Sequence, residues 1–191
     1  MNGYPKPQAW RLLPATELDD PTMETRWTPR VTVAAVLERD GKFLLVEERQ
    51  TRGLVLNNAA GHLDCGESLT QAVVREVLEE TAHDFTPTSL VGVYLSRYQG
   101  HDPVRGRDRD LTFLRFTFCG TLGDFHPDRV LDTPIERTLW LTPEEIRAST
   151  SRHRSPMVLR SLEDYLDGHR FPLDTIYAHE SVFDPAAFET R

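Results

Sequence analysis

From Val31 onward the chain alternates between apolar, β-branched runs and short polar breaks. VTVAAVLERD and KFLLVEER flank Asp40-Gly41, and an Asp-Gly pair between two apolar runs predicts a β-hairpin. TRGLVLNNAA, residues 51–60, reads as a loop or a short strand. Residues 61–66, glycine at both ends, read as a turn-rich loop that opens a helix. Ser68 or Glu67 can cap that helix, which runs to about Ala82. Strands are predicted near residues 90–98 and 111–122, with the charged loop HDPVRGRDRD between them. ERTLWLT reads as another strand. Thr142 caps and Pro143 starts a short helix, PEEIRAS. SPMVLRSLEDYLD, residues 155–167, reads as a last helix, with Pro156 in its first turn and Gly168 after its end. Strands around one central helix, with further helices at the end, predict one mixed α/β (α+β) domain.

The length, 191 residues, suits one well-buried domain. Residues 1–29 read as a partly ordered arm. Pro5, Pro7, Pro14, Pro21 and Pro29 forbid a long helix there, and Trp10 and Trp27 are the residues able to pin it to the domain. The domain proper is expected over 30–176, with a tail over 177–191. A net charge of −8 argues against general affinity for nucleic acid or an anionic membrane. The basic residues are nearly all Arg, with Lys only at Lys6 and Lys42, which leaves many planar forks suited to phosphates. Two cysteines, Cys65 and Cys119, make neither a disulfide framework nor a zinc-site spacing. No apolar run approaches signal-peptide or membrane-span length. A cytoplasmic monomer or homodimer is expected.

The central helix carries the chemistry. At about 100° per residue, Glu76, Glu79 and Glu80 fall within a sector of about 100°. Val74, Val77 and Leu78 fall opposite, with Thr70 and Thr81. This predicts an aliphatic side facing a core and carboxylates facing outward together. Glu67 lies about two and a half turns before Glu76, within reach if the loop folds back. Arg75 is placed to pair with Glu79 and to orient Glu67. A solvated helix face with one Arg–Glu pair would show the same pattern. Clustered carboxylate oxygens also suit hard cations such as Mg²⁺ and Mn²⁺. An EF-hand is excluded, because its Asp/Asn alternation and sixth-position Gly are absent. The histidines show no zinc-ligand spacing.

Gly61, Glu67, Arg75, Glu76, Val77, Glu79 and Glu80 stand in the register of the Nudix box: Gly, five residues, Glu, seven residues, Arg-Glu, an aliphatic, any residue, Glu-Glu. The chain therefore resembles the Nudix hydrolases. The box ends differently, with Ala82 for its Gly and His83 for its aliphatic, and Ala59 stands where a Pro precedes the AGH triplet. VTVAAVLERDGKFLLVEE, NNAAGHLDCGESL, LTFLRFTF and RSPMVLRSLEDYLDGHRFPLDTI are similar to the NudJ-type phosphatases of this superfamily, over roughly residues 29–176. The resemblance implies a mixed sheet sandwiched between helices, with the box as loop–helix–loop. It implies Mg²⁺ (or Mn²⁺) on Glu76, Glu79 and Glu80, with the Gly61 carbonyl joining, and Glu67 oriented by Arg75. It implies small-molecule diphosphate substrates: nucleoside di- and triphosphates, and thiamin-pathway diphosphates such as hydroxymethylpyrimidine diphosphate and thiamine diphosphate.

Either Glu80 or Glu136 is a candidate to activate the attacking water. Glu136 could equally be a surface residue at a strand edge. Arg30, Asn58, His62 and Arg115 are candidate substrate-binding residues. Phe113, Phe116 and Phe118 fit a core better than a stacking platform. The alternatives are an ADP-ribose or dinucleoside polyphosphate pyrophosphatase and, from another class, a non-catalytic nucleotide-binding module.

Overall fold

The computed structural model describes residues 27–51, 53–102 and 106–183. The arm lies almost wholly outside them, Trp10 included. Trp27 is described and largely exposed, so it does not pin the chain to the domain. Packing against the core continues to Ile176, and Tyr177 beyond it is exposed.

Two four-stranded sheets carry the domain. The first has the order β5–β1–β7–β6, built from Arg30–Val36 (β1), Ala59–His62 (β5), His83–Asp102 (β6) and Arg107–Phe125 (β7). β1 and β7 run parallel and the other pairs antiparallel. In the second, Lys42–Gln50 (β3) pairs antiparallel with Glu38–Arg39 (β2), Gly53–Asn57 (β4) and Ile135–Leu141 (β8). Asp40 and Gly41 both take positive φ, 53° and 73°, as a two-residue hairpin twisted to match its strands requires.

One core cluster lies under the helix Leu69–Thr81 (α1), where Val73 and Val77 meet Val33, Ala35 and Phe118. The other lies under Pro143–Ala148 (α2) and Met157–Leu166 (α3), where Ile146, Val158 and Leu162 meet Val36, Phe43 and Leu45. Each fully buried aliphatic or phenyl side chain contributes about 1.5–3 kcal/mol. The sheets thus sit between α1 and the terminal helices, as the resemblance implies. Among the described residues no helix is long and apolar enough to cross a membrane.

Three local expectations change. Of the loop and the short strand that TRGLVLNNAA allows, strand prevails, and as two strands rather than one: Leu54–Asn57 of β4 find partners along β3 and Ala59–Ala60 of β5 along β1. The charged HDPVRGRDRD segment is mostly paired strand: β6 and β7 run on to Asp102 and from Arg107. Its charges are matched across the ladder, Arg97 Nε donating to Asp110 Oδ1 at 2.7 Å and Gln99 to Asp110 Oδ2 at 3.2 Å. Finally, the buried face of α1 is Ala72, Val73, Glu76, Val77 and Thr81. Leu78 instead lines an open groove of about 430 Å³ with Thr70, Pro87 and Arg129. The carboxylates therefore do not share an outward face: Glu76 points inward.

Candidate active site

The loop before α1 and the first turn of the helix fix each other. Ser68 is the N-cap, accepting from the Gln71 N–H at 3.2 Å while the Gln71 side chain accepts from the Ser68 N–H at 2.8 Å. That reciprocal capping frees Glu67 for another task. Its Oε1 accepts from the Asp64 N–H at 2.8 Å, and both its oxygens accept from Arg75, at 2.7 and 3.0 Å. A planar fork meeting a carboxylate along two bonds fixes orientation as well as distance.

Arg75 gathers the rest. Its Nη1 donates to Glu76 Oε1 at 2.7 Å and to Glu79 Oε2 at 3.0 Å, and its Nη2 donates to the His62 carbonyl at 3.0 Å. The loop does fold back, and three of the four predicted carboxylates converge on one guanidinium. Hydrogen bonding to Glu67 pushes the Arg75 pKa up, ahead of Glu76 and Glu79 and against the opposing effect of burial. Burial pushes the Glu67 carboxyl up, but Arg75 and the Asp64 amide outweigh it and hold it below its usual range. For Glu76 burial wins over Arg75, and its pKa is raised.

Gly61 explains how Glu76 fits inside. It lies on β5, and a Cβ there would come within 2.0 Å of Glu76 Oε1. Glu80 approaches the same edge strand. Its Oε2 accepts from the Ala60 N–H at 2.8 Å. Burial pushes the Glu80 carboxyl up to about 8, the Ala60 N–H opposes this, and the charges of Glu76, Glu48 and Asp132 add to it. Among the described residues, no three carboxylate, imidazole or thiolate side chains converge as a ready metal cage. Arg75 stands between the carboxylates. The donor set is nonetheless one of hard oxygens, with two desolvated carboxylates against a glycine cradle, and its chemistry would fit a hard divalent cation.

The remaining predicted residues divide. Glu136 stays apart from the cluster: it is exposed on β8 and accepts from Arg49 Nε at 2.6 Å, a bond that lowers its pKa. Asn58 is buried and accepts from Ser161 on α3 at 3.3 Å, so it acts as a strut between β5 and that helix. His62 ends β5, its pKa lowered by burial and then by the charge of Arg30 at the start of β1. Arg115 is brought in. It pairs across the first sheet with Thr32, its Nη1 is buried, and burial lowers its pKa to about 10 while Glu48 and Glu80 oppose this. Phe118 is core, as expected, and Phe116 packs beside it.

Glu48, which bears on both Glu80 and Arg115, was not singled out from the sequence. The signal was present in the Glu47-Glu48 doublet after FLLV. Neighbours in a strand point to opposite faces, so one of the two had to face inward.

A NUDIX domain model matches residues 27–161. The chain belongs to the Nudix family. Among curated Nudix relatives, the Phosphatase NudJ of Escherichia coli K12 is 36% identical over 148 residues, covering 78% of this chain and 90% of that protein. A NUDIX hydrolase structure from Nitrosomonas europaea superposes with a TM-score of 0.70 at 47% identity, over 80% of this chain and 99% of that one. An ADP-ribose pyrophosphatase from Streptococcus suis shares the fold, with a TM-score of 0.50 at 18% identity over 75% of this chain and 96% of that one. The chain is a Nudix hydrolase. Nudix hydrolases generally use a divalent metal and act on small-molecule diphosphates.

Proposed function

We propose that this Nudix hydrolase is an Mg²⁺-dependent phosphohydrolase, with Mn²⁺ able to substitute. Its substrates on this reading are nucleoside di- and triphosphates and thiamin-pathway diphosphates, hydroxymethylpyrimidine diphosphate and thiamine diphosphate among them. The observation that carries it is the gathering of Glu67, Glu76 and Glu79 on Arg75, with Glu80 buried against β5 beside them. Similarity to a phosphatase over most of the chain supports phosphate release rather than cleavage within a dinucleotide.

Glu76, Glu79, Glu80 and the Gly61 carbonyl would hold the metal, which when bound supplies Lewis acidity toward a phosphoryl oxygen and lowers the pKa of a water. The other roles belong to the chain. Glu67 fixes Arg75 through two bonds, and Arg75 keeps Glu76 and Glu79 in position. Ala60 holds Glu80 through Oε2, which leaves Oε1 to take the proton of the attacking water. Glu136 is the weaker candidate for that role, since Arg49 already engages it. Arg30 and His62 adjoin at the ends of β1 and β5 and would meet phosphate oxygens. The acidic composition and sparse cysteines support a cytoplasmic setting.

The test is phosphate release with Mg²⁺, with and without added pyrophosphatase. The panel holds nucleoside di- and triphosphates, both thiamin-pathway diphosphates, ADP-ribose and a dinucleoside polyphosphate. Direct release of phosphate from the diphosphates is expected. Nucleoside monophosphate from ADP-ribose or the dinucleotide alone would move the assignment to a pyrophosphatase. Tight nucleotide binding with no product from any substrate would favour a non-catalytic module, a reading that the intact carboxylate set disfavours.

A further inference from the structure

Single exposed apolar side chains are ordinary on a folded domain, but contiguous ones mark a contact surface. Val93, Leu95 and Trp27 are 51%, 65% and 67% exposed, and they are contiguous. Trp27 and Leu95 line one open hollow of about 720 Å³, together with Ser96, Arg97, Asp110 and Thr112. Val93 lies two residues before Leu95 on β6, so both project from the same face of the first sheet. Their direct partners on β7 are Phe116 and Leu114, which in turn pair with Val33 and Val31 of β1. This is the face on which α1 packs, since Val33 and Phe118 meet Val73 and Val77 there. The helix does not reach far enough to cover Val93 and Leu95. The rim of the hollow is polar but already satisfied, because Asp110 accepts from Arg97 and from Gln99. The surface therefore calls for an apolar occupant rather than a charged one.

The tether singles out one occupant. Trp27 is the first described residue, and 26 residues of the chain precede it. They also precede the Nudix match, which starts at residue 27. Their densest apolar run is AWRLL, residues 9–13. Trp10 is 17 residues from Trp27, a separation that a coil spans with about 20–25 Å. Val93 and Leu95 lie only about 7 Å apart along their strand, so the run reaches them. A tether of this length holds the run at an effective concentration in the millimolar range. A second copy of the chain, at ordinary protein concentrations, competes poorly with that.

We propose that residues 9–13 of the chain's own N-terminal arm seat on the apolar face made by Val93, Leu95 and Trp27. Pro14 biases the residue before it toward extended backbone. In an extended segment Trp10 and Leu12 project to one side, at the same spacing of two residues as Val93 and Leu95. The indole and the isobutyl group then cover the two exposed strand residues, and Trp27 closes the hollow from the tethered end.

Hydroxyl-radical footprinting of the full chain, read residue by residue by mass spectrometry, tests the seat from both sides. Trp10 in the unaltered protein is expected to oxidise several-fold more slowly than N-acetyltryptophanamide. Val93→Thr with Leu95→Thr keeps strand propensity and should abolish that protection. Trp10→Ser with Leu12→Ser should in turn make Leu95 and Trp27 several-fold more reactive, while Phe118 in the core stays protected in every variant. Trp10 as reactive as the free amide in the unaltered chain would overturn the proposal without recourse to any variant. So would protection of Trp10 that survives the Val93 and Leu95 changes. Protection that grows with protein concentration would seat a second copy on the face instead, and would overturn it as well.

Discussion

A methyl group at position 61 would sit 2.0 Å from Glu76 Oε1. What it meets is the end of a flexible side chain, so the fold can survive by moving Glu76 aside. Gly61→Ala is therefore expected to change thermal stability by no more than about 1 kcal/mol. Turnover should fall on the order of 100-fold, the scale of loss when a reacting group shifts by about 1 Å. Normal kcat/KM in a folded Gly61→Ala protein would show that the placement of Glu76 is irrelevant. Glu80 makes a second prediction. Its folded pKa is raised to about 8 from an ordinary value of 4.5, so the folded protein holds a proton that the unfolded chain has released. The stabilisation this gives is fully present below the unfolded value and is lost as pH rises toward the folded one. In chelator, stability should decline between pH 4.5 and about 8, with a slope approaching about 1.4 kcal/mol per pH unit. Glu80→Gln should flatten that decline in denaturant titrations run across the pH range. An equally steep decline in the variant would assign it to other groups.

At the scale of the element, α1 depends on its start. Ser68→Ala removes the side-chain half of the capping box, and a loss of about 1 kcal/mol is expected, read as a lower denaturation midpoint. Because Glu67 directly precedes the cap and is held by Arg75 from inside the helix, metal affinity should fall with it. If stability drops while affinity stays constant, Arg75 alone holds the loop. The sequence showed this helix well. Its cap, its length and its carboxylates are local features, and box spacing is a matter of counting. Which side of α1 is buried was not legible, because the apolar residues nearly surround it and the pattern alone does not say which of them meets the sheet. Val73 and Ala72 win over Leu78 only because β5 and β6 are where they are. The end of the helix falls at Ala82, as expected, but the conformation there was not legible. Ala82 takes the left-handed conformation, φ 56° and ψ 27°, that a glycine adopts more cheaply. The extension of β6 and β7 through the charged segment, and the choice of strand over loop for β4 and β5, were not legible for a related reason. Charged or mixed strands become strands through partners far away in sequence, as Arg97 does through Asp110.

Across the whole molecule, β3 is the element that joins the site to the rest of the fold, and its carboxylate doublet shows how. Glu48 acts by its charge on Glu80 and Arg115, and meets Arg154 at 3.5 Å. Glu47, 1% exposed, turns the other way and accepts from Arg137 of β8 at 2.8 Å and from Arg152 before α3. That one buried carboxylate ties three separated stretches of chain together. Its partners Arg137 and Arg152 are 62% and 46% exposed, so the two sides of the network are not equivalent. Removing both arginines strands a buried charge, and Arg137→Ala with Arg152→Ala is expected to cost about 3–5 kcal/mol. Adding Glu47→Met to that pair should recover most of the loss, because an apolar side chain of similar length then fills the space with nothing left unpaired. Glu47→Met alone should cost little, since water can solvate the two arginines it releases. Denaturant unfolding of the four proteins closes the cycle. If the triple variant stays as unstable as the double, the arginines stabilise the junction by packing their stems rather than by neutralising Glu47. Turnover should follow stability in this series and not lead it, because no member touches the carboxylates of α1. A selective loss of kcat at unchanged stability would instead mean that β3 transmits the position of Glu47 through the backbone to Glu48.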